Sequence, residues 1–172
     1  FINMDNPLLQ KMASQREKLQ CVPYGQANDG AKVIIDGNGS PFLTLEIPNP
    51  CFTSVEQEGE PQWLTIRTNL IGSYNADNVL AAMCVSSYMD VPATDAVKAL
   101  EGYYPSNNRS QLTRTEHNTL VVDAYNANPT SMRASIENFA QLKMPGKVLM
   151  LGDMLELGAD IIETTGSIKP RR

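Results

Sequence analysis

The sequence lacks the features that mark several common classes of protein. None of its 172 residues belong to an apolar run long enough to span a membrane, and no basic stretch followed by an apolar one marks a secretory signal. The net charge is −5 and the basic residues are scattered, whereas a nucleic-acid partner would require a basic face. We therefore expect neither a membrane nor a nucleic acid among the partners.

Cysteine and histidine are also scarce. The three cysteines, Cys21, Cys51 and Cys84, are odd in number and lack metal-ligand spacing, which favours a reducing, cytoplasmic compartment. The single histidine, His117, lies in a predicted hairpin turn, where solvation is more common than catalysis. One histidine leaves no arrangement of nucleophile and base, so the sequence predicts no metal site and no catalytic residue within this chain.

A phosphate-binding loop is missing as well. The pattern Gly, four residues, Gly-Lys-Ser/Thr occurs nowhere in the chain. The sequence begins at Phe1 without an initiating methionine, in what is predicted to be a strand already under way. We therefore expect a part of a longer protein, with no catalytic activity of its own and at most weak nucleotide binding.

The helix and strand patterns of the sequence predict an α/β protein. Residues 1–3 are predicted to end a strand, and Asn6-Pro7 begins a helix that runs to about residue 18, because Asn caps helices and Pro suits their first position. Four β-rich segments follow, at residues 19–24, 32–35, 42–47 and 63–67. Two helices are then predicted, at residues 75–89 and 93–100.

Turn-forming residues at 103–108 predict a domain boundary, with one domain at 1–107 and a second at 108–172. The second domain starts with a predicted hairpin, 111–115 and 119–123. Residues 119–122 are predicted to be a buried strand, Asn128-Pro129 begins a helix, and residues 147–151 form the next strand. Strand, helix and strand at this spacing predict a βαβ unit of a parallel sheet.

Ligands of open parallel sheets bind beyond the carboxyl ends of the strands. Asp123 is the first polar residue after a predicted strand, so its carboxylate can accept hydrogen bonds from a ribose diol. The alternative is an aspartate that caps nearby backbone amides. The spacing gives these two interpretations equal weight.

Two further candidates carry a similar pair of interpretations. Asn75 and Asn78 share one face of a helix start, where an Asn side chain can pair with the N6 and N7 edge of adenine. The alternative, favoured without further context, is that Asn75 caps the helix and Asn78 is solvated. Arg109 can clamp phosphate oxygens with its planar guanidinium, although most loop arginines do not.

Together these segments resemble the Mur ligase family. Residues 1–7 (Phe-Ile-Asn-Met-Asp-Asn-Pro) resemble its strand ending in Asn-x-Asp, residues 72–78 (Gly-Ser-Tyr-Asn-Ala-Asp-Asn) its Gly-x-His-Asn-x-x-Asn helix start, and Asn108-Arg109 its Gly-Arg pair. Residues 123–132 (Asp-Ala-Tyr-Asn-Ala-Asn-Pro-Thr-Ser-Met) and 151–158 (Leu-Gly-Asp-Met-Leu-Glu-Leu-Gly) resemble the signature of the branch that adds D-alanyl-D-alanine.

The resemblance implies that the chain holds the C-terminal part of a central ATPase domain, with a mixed sheet and helices, followed by the first βαβ unit of a Rossmann-like C-terminal domain. The implied reaction uses ATP and Mg²⁺ to activate the carboxylate of UDP-N-acetylmuramoyl-tripeptide as an acyl phosphate, which the amine of D-alanyl-D-alanine then attacks in peptidoglycan synthesis. The implied nucleotide-binding residues in this chain are Asn75, Asn78, Arg109, Asp123, Tyr125 and Asn126.

The sequence departs from the family pattern at a few places. Tyr74 stands where the family has histidine, Asn108 stands for glycine, and the tail at 160–172 does not match. The family's phosphate loop, modified lysine and metal-binding residues are implied to lie upstream. The alternatives are a non-catalytic nucleotide-binding or scaffold module of the same fold, and another amide-bond ligase of the wider superfamily that includes the folylpolyglutamate synthases.

Overall fold

The computed structural model describes residues 1–16, 18–34, 40–49, 62–106, 108–125 and 127–154. The chain divides into two compact units, Phe1–Pro105 and Ser106–Arg172. The elements of the first unit are β1 (Ile2–Asn3), α1 (Pro7–Ser14), β2 (Pro23–Tyr24), β3 (Lys32–Ile34), β4 (Phe42–Asn49), β5 (Gln62–Ile71), a 3₁₀ helix (Ser73–Asn75), α2 (Ala76–Tyr88) and α3 (Ala93–Glu101). Those of the second unit are β6 (Gln111–Arg114), β7 (Thr119–Val122) and α4 (Pro129–Gln141).

Helix α1 begins as predicted and ends early. The Asn6 side chain accepts hydrogen bonds from the backbone N–H groups of Leu8 and Leu9, at 3.0 and 3.2 Å, which confirms Asn6 as the cap. The helix was expected to reach about residue 18 but ends at Ser14, because the chain tightens into i→i+3 hydrogen bonds such as Arg16 N–H to the Ala13 carbonyl.

Strand β1 pairs in parallel with β2. The predicted strand at 19–24 is reduced to Pro23–Tyr24, because the two residues of β1 offer only two pairing positions, Ile2 to Pro23 and Asn3 to Tyr24. A strand exists only where a neighbour satisfies its backbone groups. Residues 19–22 therefore have no regular secondary structure.

Strands β3, β4 and β5 form an antiparallel sheet in that order. One face of this sheet packs against α2 and α3, and it forms the core because alternate strand residues point to the same side. The core consists of Leu43, Leu45, Ile47, Ile66, Ala76, Val79, Leu80, Met83 and Ala96. Cys84 of α2 is fully buried as well.

Side-chain hydrogen bonds connect the C-terminal end of α3 to β5. Asn69 donates through its amide to the carbonyls of Glu101 and Tyr103, at 2.8 and 3.3 Å. The Glu101 carboxylate in turn accepts the backbone N–H of Arg67 at 3.0 Å. These contacts satisfy carbonyls that have no partner inside the helix.

A loop at residues 25–30 is held by two carboxylates. Asp5 accepts the backbone N–H groups of Ala27 and Asn28, at 2.9 and 3.3 Å. Asp29 is buried and accepts the backbone N–H of Gly25 at 2.9 Å and the side-chain amide of Asn28 at 2.7 Å. The loop begins with glycine because a Cβ at Gly25 would lie 2.7 Å from the Asp5 carboxyl carbon.

The burial of Asp29 predicts a pH dependence of stability. Desolvation raises the pKa of Asp29 above its ordinary value of 3.8, the hydrogen bonds from Gly25 and Asn28 oppose this, and repulsion by Asp5 adds to it. A raised folded-state pKa means that the contribution of Asp29 is fully present below its unfolded pKa and is lost as the pH rises through the folded pKa.

We expect Asp29→Asn, which cannot ionise, to remove this part of the pH dependence. The difference in unfolding free energy between the variant and the wild type should move in favour of the variant from about pH 4 to about pH 7, as urea denaturation would show. A difference in unfolding free energy that does not change with pH reflects the second acceptor oxygen, which Asn lacks. Equal slopes for the two proteins would contradict the assignment.

The second unit starts with the predicted hairpin, β6 paired antiparallel with β7. Helix α4 starts at the predicted Asn128-Pro129, where Asn128 and Ser131 form a capping box. The Ser131 backbone N–H donates to Asn128 Oδ1 at 2.9 Å, and the Asn128 N–H donates to Ser131 Oγ at 3.2 Å. Residues 128 to 131 alone therefore encode where this helix begins.

Two expectations for this unit differ from the structure. The strand predicted at 147–151 has no regular secondary structure, and Val148 and Met150 are 75% and 82% exposed. Strand β7, predicted to be buried, has Leu120 and Val121 exposed. Both differences have the same physical reason. Within the described residues β7 pairs only with β6, so residues 147–151 have no parallel strand to pair with. A two-stranded sheet without parallel neighbours is not covered on both faces, and its apolar residues stay exposed.

Candidate functional site

Asn75 and Asn78 lie together at the start of α2. Asn78 Nδ2 donates to Asn75 Oδ1 at 3.0 Å, and Asn75 Nδ2 donates to the Ile71 carbonyl, at the end of β5, at 2.8 Å. The shared helix face is therefore confirmed. The simple capping interpretation of Asn75 is wrong, because its side chain makes no cap hydrogen bond to α2.

The hydrogen bonds of this pair leave capacity for a ligand. An Asn amide has two donor hydrogens and one acceptor oxygen. The bond to Asn75 uses one donor of the exposed Asn78, so within the described part of the chain the Asn78 oxygen and its second hydrogen face no protein partner. An adjacent acceptor and donor of this kind match the N6 and N7 edge of adenine.

Gly72 sets the turn that leads from β5 into this pair. It has φ +93° and ψ 137°, outside the region that L-residues favour, and its carbonyl accepts the Asn75 N–H at 3.1 Å. The Tyr74 ring lies against the position that a side chain at Gly72 would occupy. The glycine of the Gly-Ser-Tyr-Asn sequence is thus required by the backbone.

In the second unit, Arg109 lies on a turn fastened to the end of β7. Its neighbours Asn108 and Ser110 have positive φ values of 57° and 49°. The Ser110 N–H donates to Asp123 Oδ1 at 3.2 Å, and the Ala124 N–H donates to the Asn108 carbonyl at 2.8 Å. Two hydrogen bonds therefore fix the turn that carries the guanidinium.

Asp123 combines features of both of its interpretations. One carboxylate oxygen accepts a backbone N–H, as the capping interpretation predicts. The side chain is nevertheless exposed, and a carboxylate offers about four acceptor sites, so capacity remains for ligand hydroxyls. A cap and a ligand contact can therefore coexist in this residue.

Tyr125 contacts Arg109 directly. The Arg109 guanidinium carbon lies 3.8 Å from the centre of the Tyr125 ring, a cation–π contact, and both residues are exposed. The structure thus brings together three of the predicted site residues, Arg109, Asp123 and Tyr125. Asn126, the sixth of the predicted set, lies outside the described residues.

Sequence reasoning missed a contact that joins two distant segments of the first unit. Gln26 Nε2 donates to Asp77 Oδ1 at 2.9 Å across 51 residues of chain, and Asp77 lies between Asn75 and Asn78. Burial raises the pKa of Tyr24, and the negative charges of Asp77 and Cys84 add to this shift. The only signal in the sequence is a charged residue at the first turn of a helix, which is too common to be noticed.

The described part of the chain contains neither a cluster of metal-ligating side chains nor a membrane-spanning helix. Within it, no group of three or more His, Cys, Asp or Glu side chains is placed to hold a metal ion. None of the helices in that part is both long enough and apolar enough to cross a membrane.

Comparison with known proteins identifies a protein family that part of this chain matches. The model of the Mur ligase, glutamate ligase domain matches residues 108–170. A UDP-N-acetylmuramoyl-tripeptide–D-alanyl-D-alanine ligase of Bacillus subtilis is 41% identical over 97 residues, 55% of this chain and 21% of the relative. The enzyme of the same name from Treponema pallidum is 31% identical over 145 residues, 84% of this chain and 30% of the relative.

Solved structures show the same fold. The chain superimposes on MurF of Acinetobacter baumannii with a TM-score of 0.72 at 21% identity, covering 94% of this chain and 33% of that one. For the MurF ligase of Thermotoga maritima in complex with ADP, the TM-score is 0.68 at 21% identity, covering 93% and 34%. The mixed α/β architecture is thereby confirmed.

The chain spans 21% and 30% of the length of the two curated relatives above, so it corresponds to one part of those proteins. Residues 108–170 match the C-terminal domain, and both relatives and both structures carry Mur ligase names. Residues 108–170 therefore carry a domain of the Mur ligase family, and the chain is similar to proteins of that family over most of its length.

Proposed function

We propose that this chain supplies the adenine-, ribose- and phosphate-directed residues of an ATP-dependent ligase that joins D-alanyl-D-alanine to UDP-N-acetylmuramoyl-tripeptide in peptidoglycan synthesis. The observation that carries the proposal is the hydrogen-bonded Asn75–Asn78 pair, whose remaining donor and acceptor fit adenine. The names of the relatives support the choice of substrates, and the ADP complex of one structural neighbour supports the nucleotide.

Each candidate residue has a proposed role. Asn75 and Asn78 bind the base, and Asp123 accepts hydrogen bonds from the ribose hydroxyls. Arg109 binds phosphate oxygens, to which its planar guanidinium can donate in a bidentate manner. Tyr125 and Asn126 complete the nucleotide contacts. Activation of the tripeptide carboxylate is the chemistry that ATP and Mg²⁺ supply when bound, and we assign no metal ligand to the described residues.

The free thiols of Cys21 and Cys84 support a reducing, cytoplasmic location for this reaction. The overall reaction can be tested on a longer protein that contains this sequence. It should release phosphate from ATP only with UDP-N-acetylmuramoyl-tripeptide and D-alanyl-D-alanine together. Turnover with a folate and glutamate instead would contradict the proposed substrates.

The isolated chain offers a test of the nucleotide site itself. We expect weak binding of ADP, in the millimolar range, with changes in the NMR signals of the Asn75 and Asn78 side-chain amides, and no ligase turnover. GDP is the matched control: its O6 accepts where adenine N6 donates, so an Asn oxygen cannot pair with it. Equal binding of the two nucleotides, or tight binding that requires Mg²⁺, would contradict the proposal.

A further inference from the structure

We infer that the hydrogen bond between Gln26 and Asp77 is a positioning contact for the Asn75–Asn78 pair, because it holds the first turn of α2 against loop 25–30. The inference rests on the proposed role of the pair in binding adenine. Gln26 and Asp77 are positioning residues: they act on the nucleotide through the two asparagines.

The start of α2 packs into the core through Ala76, Val79 and Leu80, but it has no side-chain cap. Neither Gly72, before the 3₁₀ helix, nor Asn75, before α2, makes a side-chain cap hydrogen bond. The first N–H groups of a helix have no partner within it, and uncapped ends fray. Asn75 holds one side of this turn through the Ile71 carbonyl, at 2.8 Å. Asp77, held by Gln26 at 2.9 Å, is the second anchor.

The second anchor is attached to a loop that is itself fixed. Two backbone N–H groups of the loop donate to Asp5, and a third donates to the buried Asp29. Asp5 is fixed in turn, since its N–H donates to Asn3 Oδ1 at 2.9 Å at the end of β1. A series of hydrogen bonds therefore runs from β1 through loop 25–30 to Asp77.

The position of Asp77 makes this anchor specific. It follows Asn75 by two residues and precedes Asn78 by one, so it belongs to the same helical turn. Any rotation of that turn about the helix axis moves both asparagine side chains together and misaligns their donor and acceptor with a planar base. Release of Asp77 should therefore weaken adenine binding without removing any atom that touches it.

The test uses matched variants of this chain and two NMR measurements. Gln26→Met keeps the length of the side chain and removes the donor, whereas Asp77→Asn keeps an acceptor oxygen for Gln26 and removes the charge. Gln20→Met, at an exposed position, controls for the substitution type. The measurements are the side-chain amide signals of Asn75 and Asn78 without nucleotide, and the affinity for ADP.

We expect Gln26→Met to shift both asparagine amide signals and to weaken ADP binding roughly three- to tenfold, as for the loss of one hydrogen bond. Asp77→Asn should stay near wild type in both measurements. Asp77→Ala should behave like Gln26→Met, and the double variant should be no worse than either, since the two residues act through one contact.

Unchanged asparagine signals in Gln26→Met, or an ADP affinity equal to that of Gln20→Met, would overturn the inference. Failure of the proposed function looks different: ADP would then leave the Asn75 and Asn78 signals of the wild-type chain unmoved. In that case the nucleotide-free spectra still decide whether Gln26 positions the pair. A general loss of stability would lower the unfolding midpoint of Gln26→Met without altering these two amide signals in the folded protein.

Discussion

Asp123→Ala is expected to raise the KM for ATP roughly ten- to a hundredfold in a longer protein that contains this sequence and has ligase activity. A hydrogen bond to a charged group contributes about 1.5–3 kcal/mol, which corresponds to that range of affinity. A smaller part of the increase in KM comes from a structural change in the turn at residues 108–110. The Ser110 N–H loses its acceptor, so the turn that carries Arg109 becomes less well fixed.

Asp123→Asn separates the ligand contact from the structural cap. Its amide oxygen can still accept the Ser110 N–H, but its NH₂ group cannot accept a hydrogen bond from a ribose hydroxyl. If Asp123 binds ribose, Asn should restore the stability lost in the Ala variant while the KM for ATP stays high. If Asp123 is only a cap, Asn should restore both quantities.

The measurements for these variants are steady-state ATP kinetics and the thermal unfolding midpoint. Glu116→Ala is a suitable control, because this carboxylate is exposed at the hairpin turn next to His117 and should change neither quantity. A KM for ATP that recovers fully in Asp123→Asn would remove this residue from the proposed nucleotide site.

Local sequence signals predicted where two of the helices begin. Asn6-Pro7 and Asn128-Pro129 begin helices as expected, since a capping side chain and a preset φ act within three residues. The strand at 147–151 was predicted from its apolar residues alone. A strand needs a hydrogen-bonded neighbour, which is a property of the whole sheet and is not encoded in five residues.

The same distinction between local and long-range contacts holds for the candidate site. The spacing of Asn75 and Asn78 predicted that they share one helix face, because i and i+3 residues are neighbours on a helix, and the structure adds the hydrogen bond between them. The contact between Arg109 and Tyr125, and the one between Gln26 and Asp77, join residues that are far apart in the chain. No periodicity relates such positions, so only the folded chain reveals them.

Gly72→Ala is expected to destabilise the first unit by about 2–6 kcal/mol. A side chain at φ +93° carries backbone strain of about 1–3 kcal/mol. A methyl group there would also lie 2.9 Å from Tyr74 Cδ1, and overpacking of this kind costs about 1–3 kcal/mol. Because the Gly72 carbonyl accepts the Asn75 N–H, the substitution should also disturb the Asn75–Asn78 pair.

Two further variants distinguish strain from steric overlap. Gly30, in the same unit, has a φ of +64°, within the range of the left-handed region, and only an ordinary contact, 3.8 Å to Pro48, so Gly30→Ala should cost about 1–2 kcal/mol. The double variant Gly72→Ala, Tyr74→Ala has no ring next to the new methyl group. It should recover the part of the unfolding free energy that Gly72→Ala loses through steric overlap. Urea unfolding followed by the fluorescence of Trp63, the single tryptophan, reports on this unit. If Gly72→Ala costs no more than Gly30→Ala, the Tyr74 ring does not restrict this position, and glycine is required by its backbone conformation alone.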